Sequence, residues 1–213
     1  MRSVLGSAVN LAADLTRFRD ADTGAHLDRV TRYVRVIAAG LVRSEGLDER
    51  FVEDIVSLAP AHDVGKLAIP DQILLKQGAL EASELEVMRG HVAAGVAVVE
   101  ELIRTFDLDG TDRVEMLRNI VRSHHEALDG SGYPDGLKEG AIPLEARIVA
   151  VADVFDALTS ERPYKRTWSQ AAAFGFLNDQ KGTRFDPACV VALEESAADV
   201  ASILQSSAET RID

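Results

Sequence analysis

Apolar positions recur at intervals of three and four along most of the chain, the spacing that places them on one face of an α-helix. Leu27, Val30, Val34, Ile37 and Leu41 mark one such face, which ends before Gly46. Phe51, Ile55, Leu58 and Ala59 mark a second helix, and Leu85, Met88, Val92, Val96 and Val99 a third. Val114, Leu117 and Val121 mark a fourth, whose inward face runs on to His124. Residues 148–158 are apolar on nearly every side, which predicts a central helix. Asp186-Pro187 reads as an N-cap followed by proline at the first helical position, opening a last helix through Val191 and Leu193. Strand-like alternation is scarce. Turn formers gather at 65–77 and in the run Asp129-Gly130-Ser131-Gly132-Tyr133-Pro134-Asp135-Gly136. The pattern predicts an all-α helical bundle with a short irregular loop or hairpin near 130–143.

At the start of the chain Val4, Ala8, Leu11, Leu15 and Phe18 alternate spacings of four and three, the stripe of a helix that packs against a partner. Two readings stand: a first helix on the domain's own core, or a seam for a homodimer or a signalling partner. Five positions are too few to choose between them. Residues 1–20 are assigned to this helix, 14–195 to one domain, and 196–213 to the end of the last helix and a polar tail. The uncharged stretch from Ser3 to Ala13 is too short to span a bilayer, and Asp14 closes it. Neither a membrane segment nor a signal peptide is expected, which predicts a cytoplasmic protein.

Composition narrows the function. With 213 residues, 46% hydrophobic and 27% charged, the chain suits one continuous core. A lone cysteine, Cys189, excludes an intramolecular disulfide. The net charge of -12 lacks the broad positive field that duplex nucleic acid requires, but leaves room for a small anion held by local positive charge.

The chemistry-bearing residues fall at the ends and inner faces of the predicted helices. Asp22 and His26 stand four apart, one turn from each other. His62-Asp63 ends the second helix beside Gly65 and Lys66, His91 lies on the third, and His124-His125 ends the fourth. Asp153 interrupts the apolar run 148–158, where a carboxylate is costly to bury unless paired with a cation or donors. Taken singly each has a plain alternative: His26 or His91 as a hydrogen-bonded boundary histidine, Asp22 as an N-terminal helix acid, Asp153 as a brace for a loop. Taken together, five histidines and several carboxylates are suited to divalent metal ions.

The segments His62-Asp63-Val64-Gly65-Lys66, His124-His125-Glu126 and Gly130-Ser131-Gly132-Tyr133-Pro134 together resemble the HD-GYP subgroup of the HD-domain metal-dependent phosphohydrolases. The resemblance extends through Thr23-Gly24-Ala25-His26, His91, residues 152–158, Arg162-Pro163-Tyr164-Lys165 and residues 182–187, most of the chain. It implies an HD-domain helical bundle, with hydrolysis of the bacterial messenger cyclic di-GMP to linear pGpG or onward to GMP. A silent nucleotide-binding or protein-interaction module, and a hydrolase for a mixed cyclic dinucleotide, are the alternatives.

By that resemblance His26, His62, Asp63 and Asp153 hold one metal, and Asp63, His91, His124 and His125 the other, with Asp63 shared. Two metals about 3.5–4 Å apart suit attack of a bridging hydroxide on a phosphodiester. Lys66 would face the scissile phosphate, with a solvated surface lysine as its plain alternative. Tyr133 would lie on the substrate side, Arg162 and Lys165 would contact ligand phosphates, and Asp156 would orient a ligand. Asp22 stands where many members of the family carry the glutamate associated with a third metal. The shorter side chain predicts a two-metal site and pGpG as main product. Iron or manganese is the expected metal.

Overall fold

The computed structural model describes residues 2–19, 21–42, 44–160 and 167–209, with side chains for all of these except 2–3, 21–24 and 207–209. Eleven α-helices are formed among them: α1 (Arg2–Arg19), α2 (Ala21–Leu41), α3 (Glu49–Leu58), α4 (Asp71–Leu74), α5 (Ala82–Arg89), α6 (His91–Phe106), α7 (Asp112–Ser123), α8 (Leu144–Thr159), α9 (Gln170–Asp179), α10 (Pro187–Glu195) and α11 (Ala197–Glu209). Two 3-10 segments, Ala59–Ala61 and Val64–Ala68, carry the chain from α3 toward α4.

Helix α2 is the axis of the bundle and packs against α1, α3, α8, α10 and α11. Its predicted face is fully inward: Leu27, Val30, Val34, Ile37 and Leu41 are all buried. Helix α8 lies beside it and is buried from Ala146 to Leu158 at most positions, as the all-round apolar pattern predicts. Tyr33 of α2 meets Phe155 of α8 edge-on at 5.2 Å, and Phe155 meets Phe174 of α9 at 5.1 Å, so three helices share one aromatic contact line. The Asp186 cap is present: its carboxylate accepts from the N–H groups of Ala188 and Cys189 and also pairs with Arg147.

Two expectations change and two open alternatives narrow. The stripe on α1 does not face the core. Val4, Leu11, Leu15 and Phe18 are exposed, Phe18 to 87%, and only Ala8 is covered. The inward row is instead Leu5, Val9, Ala12 and Thr16, smaller on average and therefore quieter in the sequence. The third predicted helix is two, α5 and α6, jointed at Gly90, so that Leu85 is exposed while Val92 and Val99 are buried. Helix α10 is not the last, because Ser196 ends it and α11 follows, burying Val200 and Ile203. The hairpin near 130–143 reduces to a single bridge between Asp129 and Lys138.

The 3-10 segment 64–68 is pressed directly onto α6. A Cβ on Gly65 would stand 1.8 Å from the His91 carbonyl oxygen and 2.3 Å from the Gly95 nitrogen. Glycine here permits a backbone-to-backbone approach that sets His62-Asp63 beside His91. Gly65→Ala is therefore expected to lower stability by about 1–3 kcal/mol in urea unfolding, the usual range for overpacking. Gly175→Ala in α9, where an added methyl meets open space, is expected to be neutral or stabilising by up to ~1 kcal/mol.

Candidate metal centre

Five elements deliver polar side chains to one point. His26 comes from α2, His62 and Asp63 from the turn between the 3-10 segments, His91 from the start of α6, His124 and His125 from the end of α7, and Asp153 from α8. His26, His62, Asp63, His91 and His124 are buried. The rings form a chain: His26 to His62 at 5.8 Å, His62 to His124 at 5.2 Å, His124 to His125 at 4.0 Å and His125 to His91 at 5.1 Å.

Backbone carbonyls fix how three of these rings are protonated. His62, His91 and His124 each lie with Nδ1 against a carbonyl of the preceding turn, of Ala59 at 2.8 Å, Met88 at 2.8 Å and Ile120 at 2.9 Å. A carbonyl only accepts, so Nδ1 carries the proton and Nε2 the free lone pair. All three Nε2 atoms are buried without a hydrogen-bond partner. They surround Asp63, whose carboxylate oxygens lie 3.4, 3.3 and 3.9 Å from the Nε2 of His62, His91 and His124. Orphaned buried acceptors facing a carboxylate are what a divalent cation would satisfy.

Ligand atoms gather in two groups that share Asp63: His26, His62 and Asp63 in one, Asp63, His91, His124 and His125 in the other. Within each group they lie within 4.8 Å of one another. Asp153 adjoins the first, its Oδ1 3.4 Å from His26 Nε2. This donor set, imidazole and carboxylate without thiolate, fits iron, manganese or zinc.

The electrostatics suit ligation. Burial pushes His124 down to about 3 and lowers His125 and His91 as well, so these rings stay neutral. Burial alone would raise Asp63, but the Lys66 ammonium and His62, 3.4 Å away, outweigh it and hold the carboxyl well below its usual range, while Asp63 in turn raises His62 against that ring's own burial. Lys66 Nζ donates to Asp63 Oδ2 at 2.5 Å, so this lysine is turned into the site and is only a quarter exposed.

The family model described as HD domain matches residues 21–189. The chain belongs to the HD-domain family. It is 46% identical over 87% of its length to the "Cyclic di-GMP phosphodiesterase response regulator RpfG" of Xanthomonas campestris, covering 46% of that protein. It is 40% identical over 86% of its length to the "3'3'-cGAMP-specific phosphodiesterase 2" of Vibrio cholerae, covering 33% of it. Among solved structures, Bd1817, a HDG"Y"P protein from Bdellovibrio bacteriovorus, superposes with a TM-score of 0.61 at 19% identity, covering 91% of this chain and 61% of that one. The chain thus spans less than half the length of these two curated relatives.

In this HD domain Tyr133 stacks on His125, centroids 4.7 Å apart, and burial raises its hydroxyl's pKa, so it remains a donor. Asp156 sits behind the cluster. Its Oδ2 receives His26 Nδ1–H at 2.7 Å, Arg29 donates to both its oxygens at 2.5 and 3.0 Å, and Ser160 adds a bond at 3.0 Å. Arg162 and Lys165 lie outside the described residues, as does the side chain of Asp22.

Three contributors were not singled out by sequence. Arg29 was signalled by its place three residues past His26, on the same face of α2. Glu126 accepts from the N–H groups of Asp135 and Leu137 and so holds the Gly-Tyr-Pro loop against α7. Arg89 lies over the Tyr133 ring at 5.1 Å; no spacing rule announces a cation–π partner 44 residues away.

Asp156 fixes the orientation and tautomer of His26 without reaching the shared group itself. Asp156→Asn is expected to weaken uptake of the metal nearest His26 about 10–100-fold, the range for loss of a carboxylate behind a histidine ligand. Metal titration followed by elemental analysis checks this.

Proposed function

We propose that this HD domain is a metal-dependent phosphodiesterase that opens cyclic di-GMP to linear pGpG, with iron or manganese in a two-metal centre. The observation that carries the reading is the set of buried, unpartnered Nε2 atoms of His62, His91 and His124 around the ionised Asp63. The name of the 46%-identical relative supports the substrate. Asp63 would be shared between the His26, His62 and Asp153 side and the His91, His124 and His125 side. Bound divalent ions supply Lewis acidity toward phosphoryl oxygens and a water acidic enough to attack at neutral pH.

The chain's own residues do the rest. Lys66 places a compact positive charge at the site while braced on Asp63, suited to the scissile phosphate. Tyr133 offers a protonated hydroxyl beside His125. Arg162 and Lys165 would grip the flanking phosphate, Arg162 bidentately. Asp22, one methylene shorter than glutamate, favours two metals over three and pGpG over GMP as product. We place the reaction in the cytoplasm; no helix among the described residues is long and apolar enough to cross a membrane.

The relative named for 3'3'-cGAMP, at 40% identity, favours a second reading in which the mixed dinucleotide is the substrate. Anaerobically purified, metal-loaded protein is incubated with each dinucleotide and the products resolved by chromatography. The expected result is pGpG from cyclic di-GMP, abolished by a chelator and by His124→Ala. Lys66→Met is expected to lower kcat by about 10²–10³, as for loss of one transition-state donor. Turnover of the mixed dinucleotide alone would support the second reading, and no turnover of either at full metal content would sink both.

A further inference from the structure

We propose that Arg19, at the C-terminal end of α1, is a positioning residue for Lys66, holding the segment between Asp63 and Asp71 in its active shape. The proposal rests on the role given to Lys66 above. One guanidinium gathers this whole segment. It donates through Nη1 to the carbonyls of Lys66, at 3.3 Å, and Leu67, and through Nη2 to the carbonyl of Ile69, at 2.9 Å, and the carboxylate of Asp71.

Those acceptors form the outer side of the 3-10 segment 64–68 and its exit. Its inner side is tied to the metal centre through Asp63: Lys66 N–H donates to the Asp63 carbonyl at 2.9 Å and Lys66 Nζ to the Asp63 carboxylate. Lys66 is therefore held from both sides, by Asp63 within and Arg19 without. A 3-10 turn has poorer hydrogen-bond geometry than an α-helix and gains more from an external donor. Only a guanidinium offers several donors in one planar fork, so lysine could replace the charge but not the set of bonds.

Position in the fold adds a consequence. Helix α1 lies along both 3-10 segments, and Arg19 is its last residue. Any shift of α1 against the bundle is thereby passed to Lys66. Arg17, two residues earlier, makes no comparable connection; its Nη2 pairs with the exposed Asp28 at 2.8 Å.

The test compares Arg19→Ala, Arg19→Lys, Lys66→Met and the double variant Arg19→Ala/Lys66→Met, with Arg17→Ala as control, all at matched metal content. Two quantities are read: kcat against KM on cyclic di-GMP, and amide hydrogen exchange across 64–71. Arg19→Ala is expected to lower kcat about 10–100-fold, the scale of a misplaced catalytic group, with KM little changed and exchange at 64–71 faster. Arg19→Lys should fall between it and the wild type, and Arg17→Ala should match the wild type. In the Lys66→Met background, adding Arg19→Ala should cost little further kcat.

Wild-type kcat and exchange in Arg19→Ala would overturn the proposal. So would an equal loss of kcat with and without Lys66, which is what a merely structural arginine would give. If the wild type turns over no cyclic dinucleotide, the functional reading fails, and exchange at 64–71 still decides whether Arg19 holds the segment. Should Arg19→Ala not fold, Asp71→Ala removes one acceptor only; faster exchange at 64–71 supports the proposal and unchanged exchange overturns it.

Discussion

The carboxylate of Asp63 is almost sealed from solvent and yet ionised, and the surrounding structure is arranged around that fact. A lone buried charge would be prohibitive. One ammonium, Lys66, stands against it and Asp63 itself draws His62 toward the charged form, but His91 and His124 are kept neutral by burial and present lone pairs, not protons. A carboxylate ringed by acceptors calls for cations. The same cations, with Lys66, would reverse the field of a chain whose overall charge is -12, and so reconcile an acidic protein with the anionic substrate proposed for it.

Precision at the centre is borrowed from groups that stand behind its side chains. Carbonyls of Ala59, Met88 and Ile120 set three tautomers, and Asp156, gripped by Arg29, orients a fourth imidazole. Gly65 lets the segment bearing Asp63 lie flat against α6, and Glu126 pins the loop that carries Tyr133. Most of these supports are backbone contacts whose geometry a helix end or 3-10 turn provides; the Arg29–Asp156 pair is a buried contact between two helices. This is why the doublets His62-Asp63 and His124-His125 stand at such ends: adjacent side chains diverge on a regular helix and converge only where it stops.

Much of this was legible in the sequence, and the parts that were not share physical causes. The α2 face and the all-round apolar α8 follow from strong periodicity with large side chains. On α1 the larger apolar residues point outward and the core row is built of small ones, so the row that packs on the domain is the quieter of the two in the sequence. Helix α9 escaped notice because Ala171, Ala172, Phe174, Phe176 and Leu177 leave no single apolar stripe. The Gly90 joint is silent because its backbone is still helical, at φ -59 and ψ -16. That these histidines and aspartates form a cluster that could hold metal is legible in residue type. The cluster's supports are not, since Arg29 and Asp156 are 127 residues apart and Arg19 acts on backbone carbonyls, which leave no trace in side-chain pattern.

The central claim is that Asp63 belongs to two metal positions at once. Counting bound metal per chain by anaerobic equilibrium dialysis and elemental analysis, for the wild type and for Asp63→Ala, tests it directly. The account predicts two ions in the wild type and loss of both in the variant, with the fold retained by circular dichroism. One or three ions in the wild type, or a variant that keeps one ion at full affinity, would contradict it.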